Sequence, residues 1–252
     1  MNPHGPPCPG RDDPATATEY APGLRVRGIA PPLRLADYRL IAFDMDSTLI
    51  NIECVDEIAD AVGRKAEVAA ITEAAMRGEL ADFKDSLRRR VALLAGAPLA
   101  ALEQIERERL RLNPGAEALL AACHAAGLHS VLVSGGFTHF SDGVQQRLGI
   151  ATARANVLEV VDGRLSGRLL AQPWGDIVDG AMKRATVLET CARIGCTPAQ
   201  AIAVGDGAND LEMMAAAGLS VAYHAKPKVR AMAHVAIDAG GLDRLLEVFG
   251  AR

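Results

Sequence analysis

Cysteine is scarce in this sequence and irregularly placed. The five cysteines are odd in number and scattered, which excludes a regular disulfide framework: Cys8, Cys54, Cys123, Cys191 and Cys196. The last two have no second cysteine pair and no nearby histidine to complete a zinc site. This pattern favours a protein of the reducing cytoplasm over a secreted one.

Long apolar runs and clusters of positive charge are missing as well. No stretch approaches the roughly 18 uncharged apolar residues that a membrane helix needs, and the formal net charge is −4. We therefore expect neither a membrane nor a nucleic acid as partner. Residues 1–35 lack the basic start and apolar centre of a signal peptide, and their proline- and glycine-rich composition predicts a disordered extension.

Half of the 252 residues are apolar, and they fall into short runs separated by helical patterns. Such runs, typical of buried parallel strands, occupy residues 40–43, 129–133, 201–204 and 219–222. The alternation predicts an α/β fold with a doubly wound parallel sheet. Residues 157–170 add a small β-hairpin, because Asp162-Gly163 suits a tight two-residue turn.

Residues 55–112 interrupt this alternation with helical spacing alone. Apolar side chains recur there at intervals of three and four, at Val68, Ile71 and Ala75 and again at Phe83, Leu87, Val91 and Leu94. We interpret the segment as a helical cap inserted into an α/β core that comprises residues 36–54 and 113–252.

Polar groups follow three of the predicted strands. They are Asp44 and Asp46, then Ser134 and Gly135, then Asp206, Asn209 and Asp210. The carboxyl ends of parallel strands meet at one edge of a sheet, so we expect these residues to converge there with Lys183. Neighbouring carboxylates need a cation or a shared proton. Aspartate oxygens suit Mg²⁺, and Ser134 with the amides after it suits a phosphate oxygen.

Each of these motifs alone is an ordinary turn or surface feature, but as an ordered set they resemble the haloacid dehalogenase (HAD) superfamily. The resemblance runs from about residue 40 to the carboxyl end. It rests on Phe43-Asp44-Met45-Asp46-Ser47-Thr48-Leu49, Val133-Ser134-Gly135-Gly136-Phe137, Lys183 and Val204-Gly205-Asp206-Gly207-Ala208-Asn209-Asp210. It implies a HAD-like Rossmannoid core with a cap.

The resemblance also implies a role for each of these residues. Asp44 would be the nucleophile that forms an aspartyl phosphate, and Asp46 would donate and then accept a proton. Mg²⁺ would be held by the side chains of Asp44 and Asp206 and by the main-chain carbonyl of Asp46. Phosphoryl oxygens would be bound by Ser134, Gly135, Lys183 and Asn209. Asp210 would support the metal ligands.

Three segments near the cap resemble the branch of the superfamily that hydrolyses O-phospho-L-serine, the last step of L-serine biosynthesis. They are Asn51-Ile52-Glu53, residues 71–78 and residues 86–91. The resemblance implies that Glu53 pairs with the substrate ammonium and Arg90 with its carboxylate. Met76 and Phe83 would pack around the substrate.

Other functions remain open at this point. The same chemistry could act on phosphothreonine or phosphohomoserine, or transfer the phosphoryl group to an acceptor other than water. A non-catalytic metabolite-binding domain is the alternative from another class, although a binder needs no nucleophile. The sequence leaves both a monomer and a homodimer open.

Overall fold

The computed structural model describes residues 16–77, 79–80, 82–175 and 177–250, without the side chain of Met76. The chain divides into two compact units. Unit 1 comprises the described residues of 1–42, 114–130 and 184–252, and unit 2 those of 43–113 and 131–183.

The strands and helices are numbered here in chain order. The strands are β1 (Thr18–Ala21), β2 (Leu24–Val26), β3 (Leu40–Phe43), β4 (His129–Phe137), β5 (Thr152–Val161), β6 (Arg164–Leu170), β7 (Ala201–Gly205), β8 (Leu219–Tyr223) and β9 (Val235–Ile237). The helices are α1 (Cys54–Ala61), α2 (Lys65–Met76), α3 (Phe83–Ala92), α4 (Leu99–Glu108), α5 (Ala116–Ala125), α6 (Thr138–Leu148), α7 (Gly180–Ile194), α8 (Leu211–Ala216), α9 (Pro227–Met232) and α10 (Leu245–Val248). Short 3₁₀ turns cover Leu35–Asp37, Pro198–Gln200, Ala208–Asp210 and Leu242–Arg244.

The sheet of unit 1 is mainly parallel, in the order β1-β2-β9-β8-β7-β3. Strands β7, β8 and β9 run parallel, with Ile202 opposite Leu219 and Val221 opposite Val235. Every residue of β7 and β8 is buried, which explains why these strands are continuous apolar runs in the sequence. The predicted α/β class with a parallel sheet and flanking helices is confirmed.

The predicted disorder of residues 1–35 is wrong for the part that forms β1 and β2. These strands form an antiparallel pair, and β2 continues the sheet by pairing with β9, with Leu24 opposite Ile237. Leu24 and Val26 are buried while Arg25 between them is exposed. Three residues are too few for this alternation to be recognised in a proline- and glycine-rich segment. Residues 1–15 lie outside the described part.

The sheet of unit 2 contains the predicted hairpin. Strand β4 runs parallel to β5, and β5 turns back into the antiparallel β6. Asp162 and Gly163 connect them with φ of 50° and 72°, the left-handed values that a two-residue turn of this kind requires.

The described residues of 55–112 form the helices α1 to α4. Helix α1 packs against α2 and α4, α2 against α3, and α3 against the hairpin strand β6. The helical content agrees with the sequence pattern, and the assignment of 55–112 as a separate cap stays a prediction. None of the described helices is both long enough and apolar enough to cross a membrane.

Candidate active site

A buried ion pair joins Asp44 and Lys183. Asp44 directly follows β3, and its Oδ1 accepts the main-chain amide of Met45 at 2.7 Å and lies 2.7 Å from Lys183 Nζ. The Lys183 side chain is 0% exposed and that of Asp44 is 7% exposed. Removing either charge would leave the other buried without its opposite charge, which is strongly unfavourable.

The first turn of α7 fixes the position of Lys183. Asp179 precedes this helix, its Oδ1 accepts the Met182 amide at 2.9 Å, and its carbonyl accepts the Lys183 amide at 2.9 Å. An aspartate at this position satisfies amide groups that have no partner within the helix. Lys84 of α3 lies 3.5 Å from the second carboxylate oxygen of Asp179.

Asp46 has an altered protonation equilibrium. Its Oδ2 accepts the Cys54 amide at 3.2 Å, and its Oδ1 accepts the Cys54 thiol at 3.0 Å. Burial, together with the nearby Glu53 carboxylate, raises the pKa of Asp46 to about 7. Near neutral pH this carboxyl group therefore exists in both protonation states, as a group that donates and later accepts a proton must.

The loop after Asp44 is a tight turn. The Met45 carbonyl accepts the amides of Leu49 at 2.9 Å and Ile50 at 3.1 Å, and Ser47 adopts a left-handed φ of 56°. The Asn113 side chain donates to the carbonyls of Thr48 and Ile50 at 2.9 and 3.0 Å. Asn113 thus holds the loop that carries Asp44 and Asp46, and no sequence pattern indicated this role.

Ser134 and Gly135 lie at the carboxyl end of β4. The buried Ser134 hydroxyl accepts the Gly136 amide at 2.9 Å. The Gly135 carbonyl accepts the amide group of Asn156 at 2.8 Å, and Asn156 Oδ1 accepts the Val178 amide at 2.8 Å. The fully buried Asn156 therefore connects this strand end to the segment before α7. No sequence pattern indicated this role for Asn156, which lies just before the predicted hairpin of residues 157–170.

Close packing explains the glycines at this strand end. A methyl group placed on Gly136 would come within 2.8 Å of Met45 Cε and 3.2 Å of Asp46 Oδ2. One placed on Gly135 would lie 3.0 Å from the Phe83 ring. Phe83 of α3 therefore packs over Gly135, and larger side chains at either glycine would displace groups of the site.

Glu53 and Arg90, the two residues expected to recognise the substrate, lie in the same charged region as Asp46. Glu53 precedes α1, and its Oε1 accepts the Ser47 hydroxyl at 2.7 Å. Arg90 of α3 is partly buried; burial lowers its pKa, while the carboxylates of Asp56, Glu53 and Asp46 oppose that change. Unit 2 thus brings Asp46, Glu53 and Arg90 into one electrostatic group.

Unit 1 holds the third set of predicted residues, in the loop after β7. The buried Asp210 accepts the amides of Asp206 at 3.1 Å and Gly207 at 3.0 Å through Oδ2. Asn209 is partly exposed in the turn between Gly207 and Asp210. Asp210 thereby fixes the main chain at Asp206. Asp206 and Asp210 each carry a carboxylate, the ligand type that hard divalent ions prefer.

The fold and these residues define a hydrolase of the α/β class with an aspartate directly after a buried strand. Residues 38–218 match the family model described as haloacid dehalogenase-like hydrolase, and the chain belongs to this family.

Within the family, the chain is similar to phosphoserine phosphatases. It is 68% identical to the phosphoserine phosphatase of Albidiferax ferrireducens, over 92% of this chain and 98% of that protein. A substrate-bound phosphoserine phosphatase complex is 36% identical with a TM-score of 0.76, covering 83% of this chain and 97% of that chain. A phospho-aspartyl intermediate analogue of phosphoserine phosphatase is 37% identical, also with a TM-score of 0.76, and the match covers 83% of this chain and 98% of that chain.

Proposed function

We propose that this protein hydrolyses O-phospho-L-serine to L-serine and phosphate through an aspartyl phosphate on Asp44. The observation that carries the proposal is the buried contact of 2.7 Å between Asp44 and Lys183. A carboxylate can approach an anionic phosphate ester only where positive charge offsets the repulsion. The resemblance of the chain to phosphoserine phosphatases, one of them a phospho-aspartyl analogue, supports both the substrate and the intermediate.

In the proposed reaction, the Asp44 carboxylate attacks phosphorus and the serine oxygen leaves. Lys183, Ser134, the Gly135 amide and Asn209 bind the phosphoryl oxygens as charge moves onto them. Asp46 in its protonated form gives its proton to the leaving oxygen. The resulting carboxylate then takes a proton from the water that hydrolyses the aspartyl phosphate.

Phosphatases of this family generally use a divalent metal ion, and we propose Mg²⁺ for this chain. The Asp44 and Asp206 side chains and the Asp46 main-chain carbonyl would hold it, with Asp210 orienting the Asp206 loop. These are oxygen donors, as Mg²⁺ requires. The bound ion would supply positive charge next to the phosphate, while the Asp46 carboxyl group stays available for proton transfer.

The experiment that tests this function measures phosphate release. After treatment with a chelator, we expect no release from O-phospho-L-serine, and full recovery on addition of Mg²⁺ but not of Na⁺. Phosphothreonine and phosphohomoserine, assayed in parallel, test the substrate. Faster turnover of either one than of phosphoserine would contradict the proposed specificity.

Arg90→Ala is expected to reduce kcat/KM for O-phospho-L-serine by about 10- to 100-fold, because a charge-assisted hydrogen-bond pair to the carboxylate is lost. An aryl phosphate lacks this carboxylate, so its kcat/KM should change little. Arg89→Ala is the matched control, since Arg89 lies on the same helix, more than half exposed, and pairs with Asp85 at 3.1 Å. Equal losses on both substrates would remove Arg90 from substrate recognition.

Asp46→Asn should separate the two chemical steps. With an aryl phosphate, whose leaving group needs no proton, we expect a rapid burst of phenol followed by slow turnover, because the asparagine cannot activate water. With O-phospho-L-serine the burst should disappear. In the wild-type enzyme, the initial burst of serine released from O-phospho-L-serine should become smaller as the pH rises through about 7, where Asp46 loses its proton. If the Asp46→Asn variant released serine from O-phospho-L-serine in a burst as large as that of the wild-type enzyme, the proposed role of Asp46 would be refuted.

A further inference from the structure

A small cavity in unit 1 is lined by none of the residues of the candidate active site. It has a volume of about 180 Å³ and is lined by β2, β9 and α9. Water occupies about 30 Å³ in the liquid, so the cavity has room for a small ion with some of its hydration. Its charged walls come from Arg25, Arg27, Arg230 and Asp238, with His234 beside them.

Strand geometry places two of these arginines on one face. Arg25 lies in β2 and Arg27 directly follows this strand, so the two-residue alternation of an extended chain puts both side chains on the same side, while Val26 between them is buried. Arg25 lies opposite Ala236, and the Arg27 amide donates to the His234 carbonyl at 2.7 Å. The remaining wall includes Ala231, Ala233 and Ala236, whose small side chains leave the cavity open.

The positive charges in the cavity are only partly balanced. Asp238 lies 3.7 Å from Arg25 and 3.3 Å from Arg230, and no other residue of the wall within the described part of the chain is acidic. Arg27 Nε is buried and has no hydrogen-bond partner among the residues that the structure describes. A buried polar group without a partner is costly and points to a ligand that satisfies it. The three arginines and Asp238 together carry two net positive charges, which the two negative charges of a dianion would balance.

We propose that this cavity binds one small tetrahedral oxyanion of the phosphate or sulfate type. Arg27 donates to it from Nε, and Arg25 and Arg230 face it from the strand and the helix. Guanidinium groups suit such an anion because their planar donors match pairs of its oxygens. The proposal is independent of the function assigned to Asp44.

Equilibrium dialysis of the full chain with radiolabelled inorganic phosphate tests the proposal. We expect the wild-type protein to bind one phosphate per chain more than Arg27→Met does. Any phosphate held near Asp44 contributes equally to both proteins and cancels in the difference, so failure of the proposed enzyme function would leave this difference intact. Arg34→Met is the control, because Arg34 lies outside the cavity and is 79% exposed.

Asp238→Asn provides a test that a loss of folding cannot mimic. Removing the negative charge from the cavity wall should tighten phosphate binding several-fold, and Arg230→Met should weaken it about tenfold. Equal phosphate stoichiometry in the wild-type and Arg27→Met proteins would overturn the proposal. Weaker binding by a folded Asp238→Asn variant would overturn it as well.

Discussion

Replacing Asp44 by asparagine is expected to lower kcat for O-phospho-L-serine by about 10⁴-fold or more, the usual cost of removing a nucleophile. The amide has no charged oxygen to attack phosphorus, and it offers a metal ion a weaker ligand. The side chain keeps its size, so the amide at Met45 keeps an acceptor. The variant leaves Lys183 buried without its counter-charge, so we expect a less stable but folded protein with little phosphate release, as measured by a phosphate assay together with circular dichroism.

The control for this substitution is Asp142→Asn, which changes an exposed aspartate of α6. It should leave both turnover and stability unchanged. An Asp44→Asn protein that keeps a tenth of the wild-type kcat would rule out Asp44 as the nucleophile.

The second large effect concerns stability. Lys183→Met should lower the free energy of unfolding by about 3–5 kcal/mol, because Asp44 is then buried without its cation. The double variant Asp44→Asn/Lys183→Met should be more stable than Lys183→Met alone, since no buried charge is left unbalanced. Urea unfolding measures the free energy of unfolding of both variants. A chelator is present so that a bound metal ion does not replace the missing positive charge.

Lys65→Met serves as the control, because the Lys65 side chain is 63% exposed and contacts Asp60 at 3.6 Å. Its unfolding free energy should stay within about 0.5 kcal/mol of wild type. Strictly additive effects of the Asp44 and Lys183 substitutions would show that the two charges do not interact energetically.

The parallel strands were predictable because burial on both faces produces an unmistakable apolar run, as in residues 201–204. A polar residue directly after such a run is then conspicuous, which is why Asp44 and Asp206 stand out in the sequence. Strand β2 was not predictable, since its pairing partner β9 lies more than 200 residues away and its own pattern is too short.

Residues that position the site were harder to recognise than those proposed to carry the chemistry. The side chains of Asn113 and Asn156 each make two or more hydrogen bonds to main-chain groups distant in sequence, and no local pattern encodes such partners. The thiol of Cys54 likewise contacts Asp46 only in the folded chain. Arg90 could not be separated from Arg88 and Arg89 by helical spacing; only the family resemblance selected it.

Identification of the phosphorylated residue tests the proposed aspartyl phosphate on Asp44 directly. Asp46→Asn protein is mixed with an aryl phosphate carrying ³²P, quenched in acid and digested. We expect close to one label per chain on the peptide that contains Asp44, released by hydroxylamine as an acyl phosphate is. A label on any other residue, or no label while the phenol burst occurs, would contradict the proposed mechanism.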